Sequence, residues 1–406
     1  MSTALDSIYS AKQQEVLDFA MNNDYFMLIN HGAKRSGKTI IDNDLFLYEV
    51  RRAKRFAKRD GVSNPQYILA GATLGSIQKN ILIELENKYG LSFYFDKYNR
   101  FKLFGVTIVM IGHSTIANLK AARGFTAYGA YVNEASLAHE EVFNEIKSRC
   151  SAEHARIICD TNPDQPEHFL MRDYIKKQTS AIKAFHFRLT DNTFLTKRYM
   201  DNIRATTPSG VFYDRDINGL WVSADGVVYK DFREDVHYIS EEELAKVKMV
   251  SYFGCVDWGF SHYGVILVIG ESDDGKFYIV EEVAKQFEEI DYWVKEGKRL
   301  KEQYHIRSWY ADSARSEHVI RFRREGLRTF NADKAVIPGI EAVARLYKTK
   351  RLFIVKERVH RFRDEIFMYV WNDKTGDPVK EFDDVMDSIR YGIYTRYKKK
   401  IITGKF

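Results

Sequence analysis

Eight consecutive residues, Gly32-Ala33-Lys34-Arg35-Ser36-Gly37-Lys38-Thr39, carry the chemistry that is easiest to read in this chain. They fit the spacing G-x-x-x-x-G-K-[ST], in which two glycines let backbone N–H groups curl around phosphate oxygens. The lysine, Lys38, reaches the β/γ oxygens, and the hydroxyl of Thr39 holds Mg²⁺. Lys34, Arg35 and Ser36 line the same loop, so Gly32 to Thr39 is the candidate ATP-binding segment. The apolar run Tyr25–Ile29 precedes it, and a helix expected from Ile40 onward aims its positive end at the phosphates.

A phosphate loop needs an acidic strand end to orient the attacking water. Ala130-Tyr131-Val132-Asn133-Glu134 has that form, which makes Glu134 the candidate for polarising water. Asn133 stands where an aspartate is usual; its amide can accept from a metal-bound water but brings no charge. Gln13, in Tyr9-Ser10-Ala11-Lys12-Gln13, has an amide able to read an adenine edge, with a place on a surface helix as the alternative. Cys159-Asp160-Thr161-Asn162-Pro163 follows a further strand and ends in turn-forming residues, where a loop can sense the γ-phosphate or serve as an ordinary turn. Arg35 and Arg123 are the cations available to neutralise transition-state charge, or to make structural ion pairs.

A second acidic set lies far along the chain. Asp257 closes the apolar run Phe253-Gly254-Cys255-Val256, and Asp312 ends Trp309-Tyr310-Ala311 in the same way. In the segment Asp383–Tyr391, helical spacing puts Asp384 and Asp387, or Asp383 and Asp387, on one face. Clustered carboxylates repel unless cations sit between them, so their convergence implies two Mg²⁺ or Mn²⁺ ions and suits phosphodiester cleavage. Helix caps and strand-end turns without shared geometry are the alternative.

The elements that must position these residues fall into two series. Strand-like runs at Tyr25–Ile29, Gln66–Ala70, Thr107–Gly112, Ala130–Asn133 and Arg156–Cys159 alternate with helical stretches, the pattern of a parallel α/β sheet. A second series (Tyr252–Asp257, Val265–Gly270, Phe277–Val283, Ser308–Asp312, Leu352–Val355) begins in hairpin-like succession and ends in a helix around Asp384–Tyr397. Residues 181–249, with Pro208-Ser209-Gly210 and the acidic Ser240–Leu244, read as a small bridging subdomain. The expected divisions are therefore 1–180, 181–249 and 250–406.

A length of 406 residues exceeds what one core usually serves, and 45% hydrophobic with 14% aromatic residues suffices for packed cores. The formal charge of +6 conceals dense basic runs at Arg51–Arg59, Arg321–Arg324 and Arg396–Lys400, which favour a polyanionic partner or form solvated helix faces. Cys150, Cys159 and Cys255 give neither metal spacing nor a disulfide framework. No signal-peptide pattern opens the chain, and no apolar stretch approaches the roughly 18 residues of a membrane span. A soluble intracellular protein with no membrane partner is expected.

In this order the motifs resemble the large terminase subunits of tailed bacteriophages. The resemblance runs through Lys12-Gln13, the phosphate loop with its internal Arg35, Arg123-Gly124, Asn133-Glu134 and Thr161-Asn162-Pro163. It continues through Asp191-Asn192, Asn218-Gly219-Leu220-Trp221, Gly226-Val227-Val228-Tyr229, Asp257, Asp312 and the Asp384–Tyr391 helix. It implies an α/β fold: an N-terminal P-loop, ASCE-type ATPase domain, a small lid or linker, and a C-terminal ribonuclease H-like nuclease domain. It also implies that Glu134 activates water and that Thr161-Asn162-Pro163 couples hydrolysis to movement. Arg123 is similar to a finger acting on a neighbouring subunit, with Arg35 acting in cis as the alternative. Asp257, Asp312 and an acidic residue of the last helix resemble nuclease metal ligands; some relatives place a histidine at position 384, so Asp384 is the first choice and Asp387 the second.

The function so implied is an ATP-driven, double-stranded DNA translocase that fills a procapsid and cuts concatemeric DNA. Its cofactors are ATP with Mg²⁺ and two Mg²⁺ or Mn²⁺ ions. Its partners are DNA, a small terminase subunit and the procapsid portal, with a monomer in solution, a homo-oligomeric ring on the portal, and a place in the host cytoplasm. Two other readings stay open. A helicase or repair translocase with a fused nuclease would need a second motor half, which does not appear after residue 180, and would displace strands from a forked duplex. A non-catalytic portal-docking assembly protein would show no DNA-stimulated phosphate release.

Overall fold

The computed structural model describes residues 4–403, and the side chains of Tyr397, Lys399 and Lys400 in the last basic run lie outside the described residues. The chain divides into two compact units, one made of Met1–Tyr199 with Tyr213–Val222, the other of Met200–Phe212 with Ser223–Phe406. Residues 181–249, read from the sequence as a lid or linker, contribute to both units.

The first unit is built on β1 (Met27–Gly32), β2 (Gln66–Gly71), β3 (Arg100–Leu103), β4 (Val106–Gly112), β5 (Gly129–Val132), β6 (Arg156–Thr161) and β7 (Ile182–Phe187), in the order β3-β4-β2-β5-β6-β1-β7. Every neighbouring pair is parallel except β3–β4, the hairpin that closes one edge. Strands of such a sheet are covered on both faces and read as unbroken apolar runs. In β1 all six residues are buried, and alternation sends Leu28 into one core while Met27 and Ile29 enter the other. Because β1, β5 and β6 run parallel, their C-terminal ends share one edge of the sheet, where the loops after them meet.

The second unit carries β8 (Tyr238–Ile239), β9 (Met249–Asp257), β10 (Gly264–Ser272), β11 (Phe277–Lys285), β12 (Trp309–Ala311), β13 (Thr329–Asn331) and β14 (Leu352–Val355), ordered β13-β12-β9-β10-β11-β14-β8. β9, β10 and β11 form an antiparallel meander, and β12 then adds parallel to β9 with β13 beyond it. A three-stranded meander extended by two parallel strands on its first strand is the ribonuclease H-like arrangement. One core packs the sheet against the helices Val336–Lys348 and Asp384–Thr403, the other against Ile290–Tyr304 and Ser316–Arg324. Gly392 lets the last helix lie directly on β9, since a Cβ there would come 1.9 Å from the Cys255 sulfur. All three cysteines are free and buried.

Candidate functional site

The turn after β1 is made by backbone that few residues tolerate. Gly32 has φ +136 and a Cβ on it would lie 1.9 Å from the Phe187 carbonyl oxygen; Gly37 has φ +95. Arg35 is also left-handed, at φ 59, and its carbonyl accepts from the Asn192 amide at 2.7 Å. The helix Lys38–Arg59 starts at Gly37 with no side-chain cap, so its first N–H groups face the loop's hollow. That is the arrangement of an anion cradle.

Lys38 is buried, and its ammonium lies near the carbonyls of Gly32 (2.9 Å) and Ala33 (2.6 Å), Ser36 Oγ (3.3 Å) and Asn162 Oδ1 (3.2 Å). Burial pushes its pKa down to about 8, against the pull of Asp160 and Asp42. Neutral oxygens hold this charge, so an anionic phosphate would hold it better. Ser36 ties the loop together through Ala33, and exposed Lys34 pairs with Asp216 at 2.8 Å. Gln13 reaches the loop, but with its amide engaged: Nε2 donates to the Gly37 carbonyl at 2.8 Å and Oε1 accepts from the Ser10 N–H at 2.8 Å. It is buried on the inner face of the helix Ala11–Asn22 and braces the loop's last glycine.

Asn133 and Glu134 follow β5. Glu134 adopts the left-handed conformation (φ 53, ψ 46), an uncommon state for a side-chain-bearing residue and one that turns its carboxylate off the strand direction. Its pKa is raised by burial and then by the charge of Asp160. Asn133 donates to both oxygens of Asp160 at 2.8 and 3.0 Å and accepts from Asn80 at 3.1 Å. Thr161 accepts from the Ser136 N–H at 2.9 Å, which ties the end of β6 to the turn after Glu134.

These groups line one cavity of about 530 Å³, walled by residues Lys34 to Ile40, Lys79, Asn80, Glu84, Asn133, Glu134, Asp160, Thr161, Asn162, Asn192 and Leu195. Its size and its mixture of loop N–H groups, lysines and carboxylates fit a nucleoside triphosphate with a divalent cation beside Thr39. Gln13 and Pro163 are outside the lining. So is Arg123, which is exposed and 3.8 Å from Glu145. Asp160, which the sequence places in the γ-phosphate-sensing segment without a role of its own, also lines the cavity, as do Lys79 and Asn80, which carry no sequence signal. The signal for Asp160 was present: an acid inside a strand whose residues are all buried.

In the second unit, pairing of Ala311 with Val256 sets the ends of β12 and β9 side by side, so Asp312 and Asp257 are neighbours. The N-terminal turn of the Asp384–Thr403 helix brings Asp384 and Asp387 to the same edge, held there by Glu365, which accepts the Val385 N–H at 2.8 Å. Asp257 has its pKa raised well above the usual range by burial, then by Asp387, Asp312, Asp384 and Asp383 in turn. Asp384 is pushed up to about 6 by burial and Asp383. Carboxylates that hinder each other's ionisation make a site suited to divalent cations.

Yet among the described residues no three His, Cys, Asp or Glu side chains stand close enough to form a ready metal cage. The chain's own cations share the space. Lys334 meets Asp312 at 2.7 Å, buried Arg390 meets Asp387 at 2.7 Å, and Lys380 lies 3.4 Å from both Asp383 and Asp387. The Arg390 pair is a close charge contact without the alignment of a directed hydrogen bond to Asp387 Oδ1. No ion pair to Asp384 is present among the described residues, so of the two candidates it is the less committed to the chain. The basic runs are likewise partly internal: Arg52 is buried against Glu49, and Arg321 pairs with Asp291 and Glu325.

A phosphate-loop α/β unit and a ribonuclease H-like unit with a carboxylate-lined strand edge, in one chain, define a class of proteins that join ATPase architecture to nuclease architecture. The family model of the terminase large subunit, T4likevirus-type, N-terminal, matches residues 31–235. The chain belongs to the large terminase family of phage DNA packaging. Among solved structures, the large terminase of the thermophilic bacteriophage D6E is similar over 95% of this chain and 98% of its own, at 23% identity and a TM-score of 0.81. The same D6E protein in complex with ADP matches with a TM-score of 0.79 at 23% identity, covering 95% of this chain and 99% of that one. Its complex with ATP-gamma-S gives 0.77 at 22% identity, over 95% and 99%. Among curated proteins, none matches. No helix among the described residues is long and apolar enough to cross a membrane.

Proposed function

We propose that this chain is the ATP-driven motor that moves double-stranded DNA into a procapsid and cuts concatemeric DNA with a metal-dependent, largely sequence-independent endonuclease. The observation that carries the reading is the meeting of Lys38, Thr39, Glu134 and Asn162, from three separate strand ends, in one cavity. Lys38 neutralises the phosphates. Glu134, whose raised pKa makes it a better proton acceptor, orients and deprotonates the attacking water. Thr39, with Asn133 nearby, would hold Mg²⁺, which would supply further charge neutralisation. Arg123, exposed and away from its own cavity, acts on a neighbouring subunit's nucleotide, with Arg35 as the alternative in cis.

Asn162 accepts from Lys38, so the contact that phosphate competes for is also one that Thr161-Asn162-Pro163 feels, which supports a coupling role. In the nuclease, Asp257, Asp312 and Asp384, then Asp387, would hold two Mg²⁺ or Mn²⁺ ions, which would supply positive charge at the cleaved phosphodiester. The functional division is 1–180 for the ATPase, 181–249 for the lid or linker and 250–406 for the nuclease. The partners are the small terminase subunit and the portal, on which monomers assemble into a ring in the host cytoplasm.

The test is separation of the two activities in the full chain. Lys38→Ala or Glu134→Ala should abolish DNA-stimulated ATP hydrolysis while metal-dependent plasmid cutting persists, and Asp257→Ala should do the reverse. Plasmid cutting by Asp257→Ala at the parent's rate sinks the nuclease assignment; ATP hydrolysis by both loop and Glu134 variants sinks the other.

A further inference from the structure

We propose that Asp160 supplies the carboxylate charge for the metal at the nucleotide site, replacing the charge that Asn133 lacks. The proposal rests on the ATP-hydrolysing reading above. β5 and β6 are parallel neighbours with Val132 opposite Cys159, so the next residues, Asn133 and Asp160, lie side by side. The amide of Asn133 is oriented by its surroundings: its NH₂ faces both oxygens of Asp160, and its oxygen is turned toward the Asn80 amide. It therefore offers the metal less than its position suggests.

Asp160 is the better-placed group. It is 2% exposed yet contributes to the lining of the cavity that also holds Lys38, Thr39 and Glu134. Three donors of one strand end hold it in place: the Asn133 amide, the Glu134 N–H at 2.7 Å and the Tyr131 hydroxyl at 2.9 Å. Hydrogen bonds of this kind fix the direction of the carboxylate, which is what a group serving a hard cation needs. The other buried acid nearby, Asp42, accepts from Asn30 at 2.6 Å and takes no part in the lining. Asp160 is thus a positioning residue for the cation. By binding the Glu134 N–H it also fixes the left-handed turn that presents the water-activating carboxylate.

The experiment is equilibrium binding of a fluorescent, non-hydrolysable ATP analogue to the full chain, in EDTA and in Mg²⁺. Nucleotide rather than total metal is followed because the carboxylates around Asp257 also take up the ion. The parent should bind in EDTA and tighten with Mg²⁺. Asp160→Asn should bind in EDTA as the parent does and lose about 10- to 100-fold of the Mg²⁺-dependent gain, the usual cost of losing a group that supports a metal ligand set. Asp42→Asn, which removes the other buried acid near the loop and leaves the Asp160 charge and its donors in place, should keep most of that gain. Retention of the full gain by Asp160→Asn overturns the proposal, and so does an equal loss in Asp42→Asn. If Asp160→Asn lacks a cooperative thermal transition, Asp160→Ser is read in its place with the same expected and overturning outcomes. A parent that binds nucleotide in neither buffer defeats the ATP-site reading instead.

Discussion

Replacing Arg390 by methionine isolates the electrostatic part of the nuclease scaffold. Arg390 is 1% exposed, pairs with Asp387 at 2.7 Å, and donates to the carbonyls of Lys334 and Ala335 at 3.0 and 3.3 Å. Its stem lies under Gly339, where a Cβ would come 2.6 Å from Arg390 Cγ. Methionine keeps the apolar stem, so the loss is one of charge and hydrogen bonds rather than volume. Removing one partner of a buried pair costs about 3–5 kcal/mol, because the other charge is left behind. Lys380, 3.4 Å from Asp387 but 65% exposed, offsets only a little, so a loss of about 3 kcal/mol is expected. For a unit of this size that lowers the Tm by roughly 6–12 °C. Tryptophan fluorescence suits the assay, since Trp258, Trp293, Trp309 and Trp371 belong to this unit and only Trp221 to the other. The double variant Asp387→Asn/Arg390→Met removes both charges and should recover most of the loss. A single-variant loss below about 1 kcal/mol would refute the reasoning, as that is the worth of an exposed pair.

Gly32→Ala should destabilise the first unit by roughly 3–5 kcal/mol, combining left-handed strain with overlap on the Phe187 carbonyl, and should abolish nucleotide binding; urea unfolding and analogue binding check the two parts. Divalent-ion affinity of the nuclease site, followed by Mn²⁺ titration of a Lys38→Ala chain, should rise with pH through about 6, since Asp384 is pushed up to about 6 and Asp257 is raised in the same direction. The sign for stability is the opposite. Folded-state values above the unfolded ones mean that the metal-free protein has the full contribution of these acids below about 4, the ordinary aspartate range, and loses it as pH rises through about 6. Affinity that is flat from pH 5 to 8 would contradict both.

Much of the fold was legible because its strands are buried on both faces and so read as unbroken apolar runs. Gln66–Ala70 is β2 short of one residue, and Leu352–Val355 is β14. β7 is not legible in the sequence, since Lys183 and His186 interrupt the apolar run Ile182-Lys183-Ala184-Phe185-His186-Phe187, which becomes a strand by pairing with β1 along its length. Of the nucleotide site, the residues that act through local backbone were visible: the loop glycines and the acid after β5. Asp160 was not singled out, because its importance depends on the β5–β6 register that sets it beside Asn133. Lys334 and Arg390 were equally silent, as one follows β13 and the other lies a turn inside the last helix. Nothing in their local sequence announces a partner among the carboxylates.

The two acidic clusters are neutralised by different means, and the difference has a functional consequence. Asp160 is held by neutral donors, an amide, a backbone N–H and a hydroxyl, none of which a cation can displace by repulsion. Asp312 and Asp383 are instead held by lysines, Lys334 and Lys380, whose side chains are 41% and 65% exposed. A divalent cation entering that edge repels these ammonium groups, and solvent is at hand to receive them. The nucleotide site is therefore organised before any ion arrives. The candidate nuclease site must exchange its own cations for metal, which weakens its apparent affinity for the ion. Under the proposed function, a nuclease site whose resting state is neutralised internally has a physical basis for staying idle until metal displaces its lysines.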